Sequence, residues 1–328
     1  MSDAKPTVKR VVPLTWEGLE IAAGAEVVAD DWFTLPKGGT DTGLSIVHKR
    51  PKKPTVTLWE GASLVVMKLG KKQAKAAKGH EWKRGAITAF SRASRWRIMQ
   101  LVATLKRTEV SLFVTMTYPD AFERNPRKVK AHLATFCKRL LREFPDAIVL
   151  WRMEPKVRKS GASAGEIAPH FHLLIWNVDY KLLREWIPLN WYQVVGSGDE
   201  KHLAAGTSVE RVRSSRGVMH YTTKYIAKSD SYVMPGWGRY WGVVNRKLLK
   251  TIQGKPVMEE LDDVSAKTIL RYMRHKASEV YDSKGQFVGR KKFRKWGHKM
   301  TLISNADFWR EVVRKTSGEE TPAPPPQN

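Results

Sequence analysis

Apolar positions along the middle of this chain recur with either helical or strand spacing, and the switches between the two mark out its elements. Ile98, Leu101, Val102 and Leu105 follow helical spacing and predict an amphipathic helix over 94–107, with Arg92, Arg95 and Arg97 on its outer side. Residues 111–118 are rich in β-branched and aromatic side chains and stop at Pro119, which predicts a strand. Asn125 and Pro126 then open a helix, since a proline in the first turn loses no hydrogen bond. Val129, Leu133, Phe136, Leu140 and Phe144 form its buried stripe, and Lys128, Lys130, Lys138, Arg139 and Arg142 occupy its other faces. A second strand is expected at 147–154, a basic Gly/Ser-rich loop at 155–168 and a third strand at 169–176. A helix over 180–189 ends near Pro188, a fourth strand covers 207–212, and Ser214 and Ser215 cap a helix at 217–228. The fold class is therefore α+β. Its core is a split β-α-β-β-α-β arrangement with one added helix, an antiparallel sheet carrying its helices on one face.

The flanking regions are read as N- and C-terminal accessory elements. Short apolar runs at 11–14, 21–28, 55–59 and 63–67 predict strands of a small accessory region, 1–84, and the lysine-rich run 68–78 reads as a solvated linker. The core domain is placed at 85–245 and a basic C-terminal region at 246–316. Within the latter, 263–280 has helical spacing, and 282–285 has the composition of a hairpin turn. Residues 289–300 interleave six cations with Phe293 and Trp296. The proline-rich tail 317–328 is expected to be disordered.

Charge narrows the choice of partner. Lys plus Arg outnumber Asp plus Glu 58 to 32, a net charge of +26. An excess of this size calls for a polyanion, nucleic acid before an anionic membrane surface. The 13 tryptophans add rings that stack on unpaired bases, although many must be core. No apolar run has transmembrane length and the first residues lack a signal-peptide core, so no membrane partner is expected. Cys137 is the sole cysteine, which excludes an intramolecular disulfide and suits a reducing cytoplasm.

Candidate chemistry centres on the strand at 169–176. Side chains alternate along a strand, so His170 and His172 share one face and Phe171 takes the other, where it should pack the sheet onto its helices. Two imidazoles so placed can share a metal ion, or be an ordinary hydrogen-bonded pair. Glu154 ends the preceding strand, and hairpin pairing brings a carboxylate there beside the histidines. A salt bridge to Lys156, Arg158 or Lys159 is the rival role for Glu154, and Glu166 is the rival carboxylate. Two histidines and one carboxylate leave coordination positions open for an oxygen substrate. A phosphate substrate favours Mg²⁺ or Mn²⁺, although zinc hydrolases use the same ligands. Farther on, Tyr221 and Tyr225 lie one helical turn apart, with Lys224 and Lys228 three residues after each. The tyrosines are candidate nucleophiles beside ammonium groups, or part of a core stripe with Val218 and Ile226.

Taken in order, Phe113–Tyr118, then Glu154 before His170-Phe171-His172, then Tyr221–Lys228 resemble the three motifs of HUH endonucleases. In particular they resemble rolling-circle replication initiators of phages and plasmids, in the two-tyrosine branch; residues 238–242 add a looser likeness. The resemblance covers roughly 85–245. It implies a metal held by His170, His172 and Glu154, and nicking of single-stranded or hairpin origin DNA by Tyr225 or Tyr221. It also implies a 5′-phosphotyrosine link with a 3′-OH primer, religation at termination, and Lys224 and Lys228 placed to orient phosphate or stabilise phenolate. No Gly-x-x-x-x-Gly-Lys-Ser/Thr loop is present, so such an initiator would borrow a host helicase and polymerase in a bacterial cytoplasm. Alternatives are a relaxase or single-strand transposase of the same superfamily, a metal-free binder of single-stranded nucleic acid, and an unrelated zinc hydrolase.

Overall fold

A computed structural model describes residues 53–69, 87, 89–227, 232, 236–281, 286–291 and 299–318. The expected strands at 11–14 and 21–28, nearly all of the run 68–78, Lys228, the turn at 282–285 and the tail from 319 lie outside the described residues. In chain order the elements begin with β1 (Thr55–Trp59), β2 (Leu64–Lys68), α1 (Arg92–Ala103) and β3 (Leu112–Met116). Then come α2 (Pro126–Glu143), β4 (Ile148–Val157), β5 (Ile167–Trp176), α3 (Tyr180–Val195), α4 (Glu200–Ala205) and β6 (Thr207–Arg211). Helix α5 (Ser215–Tyr221) runs into a π-helical turn (Thr222–Ile226) and is followed by β7 (Trp241–Val244) and α6 (Arg246–Ile252). The last are β8 (Pro256–Glu260), α7 (Asp263–Ser278), β9 (Glu279–Tyr281), β10 (Phe287–Arg290), β11 (Lys299–Ile303) and α8 (Ala306–Thr316).

Two compact units result, one within 79–254 and one built from segments within 1–78 and 255–328. The first holds a five-stranded sheet in the order β6-β3-β5-β4-β7, with every neighbouring pair antiparallel. Strands β3 and β4 flank β5 and are joined through α2; β5 and β6 flank β3 and are joined through α3. This is the split β-α-β-β-α-β core, extended at one edge by β7. The fold is α+β.

Local chemistry sets the helix boundaries. Asn125 accepts a hydrogen bond from the Arg127 amide ahead of Pro126, and Asp179 and Ser214 cap α3 and α5 in the same way. Helix α3 does not stop at Pro188 as the sequence suggested; it continues to Val195. Leu183, Ile187 and Trp191, all fully buried, repeat at four-residue spacing across the proline, and their burial outweighs the one lost backbone bond. Gly196, at φ 61°, then ends the helix in the left-handed conformation. The 236–242 stretch, expected only as a turn, leads into β7. Strand β7 approaches β4 closely because Gly242 has no side chain: a Cβ there would lie 2.9 Å from Trp151 Nε1.

Helices α2 and α3 cover one sheet face, where Phe171 meets Trp191 edge-on at 6.0 Å and Phe136 meets Trp191 at 5.8 Å. Phe171 thus packs the sheet onto its helices, as alternation requires. The arrangement departs from one expectation: not all helices share that face. The π turn lies on the histidine face, with the Tyr225 ring 5.4 Å from that of His172, and α1 packs on the π turn through Met99 and Thr223. An aromatic platform made by Phe113 on that face gives the tyrosine segment its seat.

The second unit is a four-stranded antiparallel sheet in the order β11-β2-β1-β8. Val56, Leu58, Val65, Met67, Met300 and Leu302 from its strands pack against Ile269, Met273, Trp309 and Val313 of α7 and α8. The two ends of the chain, expected as separate accessory regions, therefore share one sheet. Strands β9 and β10 pair with each other. Among the described residues no helix is long and apolar enough to cross a membrane.

Candidate metal and tyrosine site

Register assembles the site. Glu154 on β4 lies directly opposite His170 on β5, and Thr115 on β3 lies opposite His172. Since cross-strand partners share a face, Thr115, His170, His172 and Glu154 project together. Pro155 and Pro169 also face each other, at a ladder position beyond the ends of β3 and β7 where neither needs to donate an N–H. Strands β4 and β5 therefore extend past the expected loop start, and Glu154 stands within the ladder rather than at its frayed end.

His170 and His172 are 8% and 3% exposed. Burial, then the neighbouring His172 and Lys156, push the His170 pKa down to about 3. Burial also lowers His172, against the opposing pull of Glu154. Both rings are therefore neutral at pH 7, the state that ligates metal. His172 Nε2 lies 2.9 Å from Glu154 Oε2, and its Nδ1 lies 3.2 Å from Thr115 Oγ1. Ligand atoms of Glu154, His170 and His172 all fall within 4.8 Å of one another. One ion at about 2.1 Å from each ligand spans about 4.2 Å, so small rotamer shifts suffice to hold it. Ligation through Nε2 places the His172 ring proton on Nδ1, where Thr115 Oγ1 is the waiting acceptor. The donor set fits a divalent cation.

The rival carboxylate is engaged elsewhere. Glu166 accepts two hydrogen bonds from Arg124, from Nε at 2.9 Å and from Nη2 at 2.8 Å. Arg158 donates to the Tyr118 and Pro119 carbonyls, at 3.1 and 3.0 Å. Asp120 accepts from the Ala162 and Ser163 amides, and Gly161, at φ 90°, sits so close that a Cβ would meet Asp120 Oδ1 at 2.4 Å. These bonds pin the β4–β5 hairpin to the segment after β3.

Tyr221 and Tyr225 stack at 5.8 Å over Phe113, whose ring is 4.6 and 4.9 Å from theirs. Four-residue spacing keeps them on one side even though the turn between them is π-helical, a form frequent at functional sites. Tyr225 adjoins His172, and the Lys224 ammonium lies 5.0 Å from the Tyr225 ring centroid, over its face. Tyr221 instead donates from its hydroxyl to Glu210 Oε2 at 2.6 Å. That bond first, then burial and the Glu210 charge, push the Tyr221 pKa up to about 12. Arg152, opposite His172 in the ladder and buried, places its guanidinium 3.7 Å from the Phe90 ring centroid and 5.6 Å from that of Tyr240.

The structure brings His170, His172, Glu154, Tyr225, Tyr221 and Lys224 to one face of the sheet; Lys228 lies outside the described residues. Sequence reasoning missed Thr115 and Glu210 as parts of the site. Strand alternation puts Thr115 on the Phe113 face, a signal that was available. No spacing rule points from Glu210 to Tyr221.

Residues 111–230 match a family model described as replication-associated protein, of the ORF2 type. Neither a curated protein nor a solved structure matches the chain.

Proposed function

We propose that this protein is a replication initiator that cuts single-stranded origin DNA, or the unpaired part of an origin hairpin, by tyrosine attack. The observation that carries the reading is the Tyr225 ring set against His172 of the Glu154–His170–His172 cluster. The replication-associated family match over the same residues supports it. The catalytic domain would span 85–245. His170, His172 and Glu154 would hold Mg²⁺ or Mn²⁺, which when bound neutralises charge on a scissile phosphate.

The chain's own side chains account for the rest. Tyr225 forms a bond from its phenolic oxygen to phosphorus, the P–O3′ bond breaks, and the phenol proton ends on the departing 3′ oxygen. The products are a 5′-phosphotyrosyl ester and a 3′-OH on which a host polymerase, with a host helicase ahead of it, would act. Lys224, and Lys228 beyond it, supply positive charge for the diester, and Phe113 fixes both tyrosine rings. Tyr221 would attack the second site at termination, and religation would close the circle.

The test uses 3′-end-labelled single-stranded DNA with Mn²⁺. Label should become covalently attached to the protein, and EDTA should abolish the attachment. The Tyr225→Phe variant should label far less, and the Tyr221→Phe/Tyr225→Phe double variant not at all. Adducts that persist in the double variant would overturn the proposal. Retained DNA binding with no adduct in any variant would favour a metal-free binder.

A further inference from the structure

Tyr221 and Tyr225 are the same residue type one turn apart, yet the fold holds them differently. Tyr225 stands against the His172 ring. The Tyr221 hydroxyl is bonded to Glu210, which lies on β6 opposite Phe113. Strand β6 is separated from the histidine strand β5 by β3, two strand spacings or roughly 10 Å. The Tyr221 oxygen is thus tied to the far side of the Phe113 platform from the metal ligands.

We infer that Glu210 is a positioning residue that parks Tyr221, so that Tyr225 makes the first cut and Tyr221 becomes a nucleophile only in the second transfer. The inference rests on the nicking reading above. A carboxylate acceptor also keeps the proton on the phenol, consistent with the raised pKa of Tyr221. While that bond persists, the oxygen can neither ionise readily nor reach a phosphate held near His172. Release requires the Tyr221 side chain to turn off Glu210, a motion Tyr225 does not need. In the second transfer the Tyr221 oxygen bonds the phosphorus of a new site and the P–O3′ bond there breaks. The freed 3′ oxygen attacks the Tyr225 ester, and Tyr225 leaves with the proton.

The chain itself provides the assay. Trypsin cleaves after Arg216, Lys224 and Lys228, so Tyr221 falls in the peptide 217–224 and Tyr225 in 225–228. Full-length protein is mixed briefly with Mn²⁺ and 3′-end-labelled random-sequence single-stranded DNA, and the labelled peptide is identified. In the unsubstituted protein the label should fall on 225–228. In Glu210→Ala the share on 217–224 should rise about tenfold, the scale of a charge-assisted hydrogen bond. Glu210→Gln, which keeps the side-chain volume, should move the ratio the same way and guards against a folding defect in the alanine variant. Equal labelling of both peptides in the unsubstituted protein overturns the inference. So does a ratio unmoved in both variants, including the case where total labelling falls, which would mark Glu210 as merely structural. Label on neither tyrosine in the unsubstituted protein removes the nicking reading itself, and the inference with it.

Discussion

His172 is held at both ring nitrogens, by Thr115 on one side and Glu154 on the other. A ligand fixed in this way loses little freedom on binding a metal, so the Thr115 hydroxyl should matter although it touches no ion. Thr115→Val keeps the shape and removes the acceptor; Mn²⁺ affinity, measured by calorimetry, should fall roughly 10- to 100-fold. Unchanged affinity would mean that the hydroxyl does not support the ligand. The histidines also set an acid limit in metal-free protein. Their folded pKa values lie below the unfolded value near 6.5, so below that pH the unfolded chain binds protons that the folded chain does not. Stability should therefore be full above about pH 6.5 and decline toward pH 3, where His170 titrates in the folded protein. The slope is about 1.4 kcal/mol per pH unit for each histidine, and urea titrations across this range would read it. A His170→Asn/His172→Asn variant should flatten the decline; an unaltered slope would assign it to other groups.

Among the elements, α3 shows packing overriding a local rule. Pro188 sits in the ninth position of a 16-residue helix, where it removes a backbone bond, and the helix persists because Leu183, Ile187 and Trp191 are buried together. Pro188→Ala restores the N–H and should raise the unfolding free energy by up to about 3 kcal/mol, visible as a higher Tm. A lower Tm would mean that the proline ring itself contributes packing that alanine loses. Strand β4 was expected to end at Glu154, but it runs on to Val157 because its pairing with β5 continues through Pro155 and Pro169. That extension, together with the bonds from Asp120 and Arg124, holds the carboxylate rigidly beside the histidines. Periodicity alone identified the helix at 126–143 and the strand at 167–176, each close to its observed bounds. It missed β7, whose four residues have no buried face to make a pattern.

At the scale of the whole molecule, the excess of 26 positive charges bears on how DNA is held. Binding to single-stranded DNA should weaken linearly in log–log form with salt, with a slope of about −0.7 for every phosphate contacted. A slope near zero in a filter-binding or anisotropy titration would show that the charge serves some other purpose. The second unit joins residues far apart in sequence: β1 pairs with β8 and β2 with β11, and Asp307 of α8 accepts a hydrogen bond from the Gly61 amide in the β1–β2 turn. The strands at 55–59 and 64–68 were legible from composition, but their partners lie about 200 residues away, beyond the reach of any local pattern.

The sequence by itself determined the order of elements across the core, the shared face of His170 and His172, and the cationic character of the chain. Each follows from backbone periodicity or from counting charges, which need no partner. Tertiary structure alone decided that Glu154, and not Glu166, faces the histidines. It also decided that Thr115 supports His172 and that Glu210 separates Tyr221 from Tyr225. Those outcomes depend on strand register and on the seating of the tyrosine segment over Phe113, and both are set by packing between residues that no short-range rule connects.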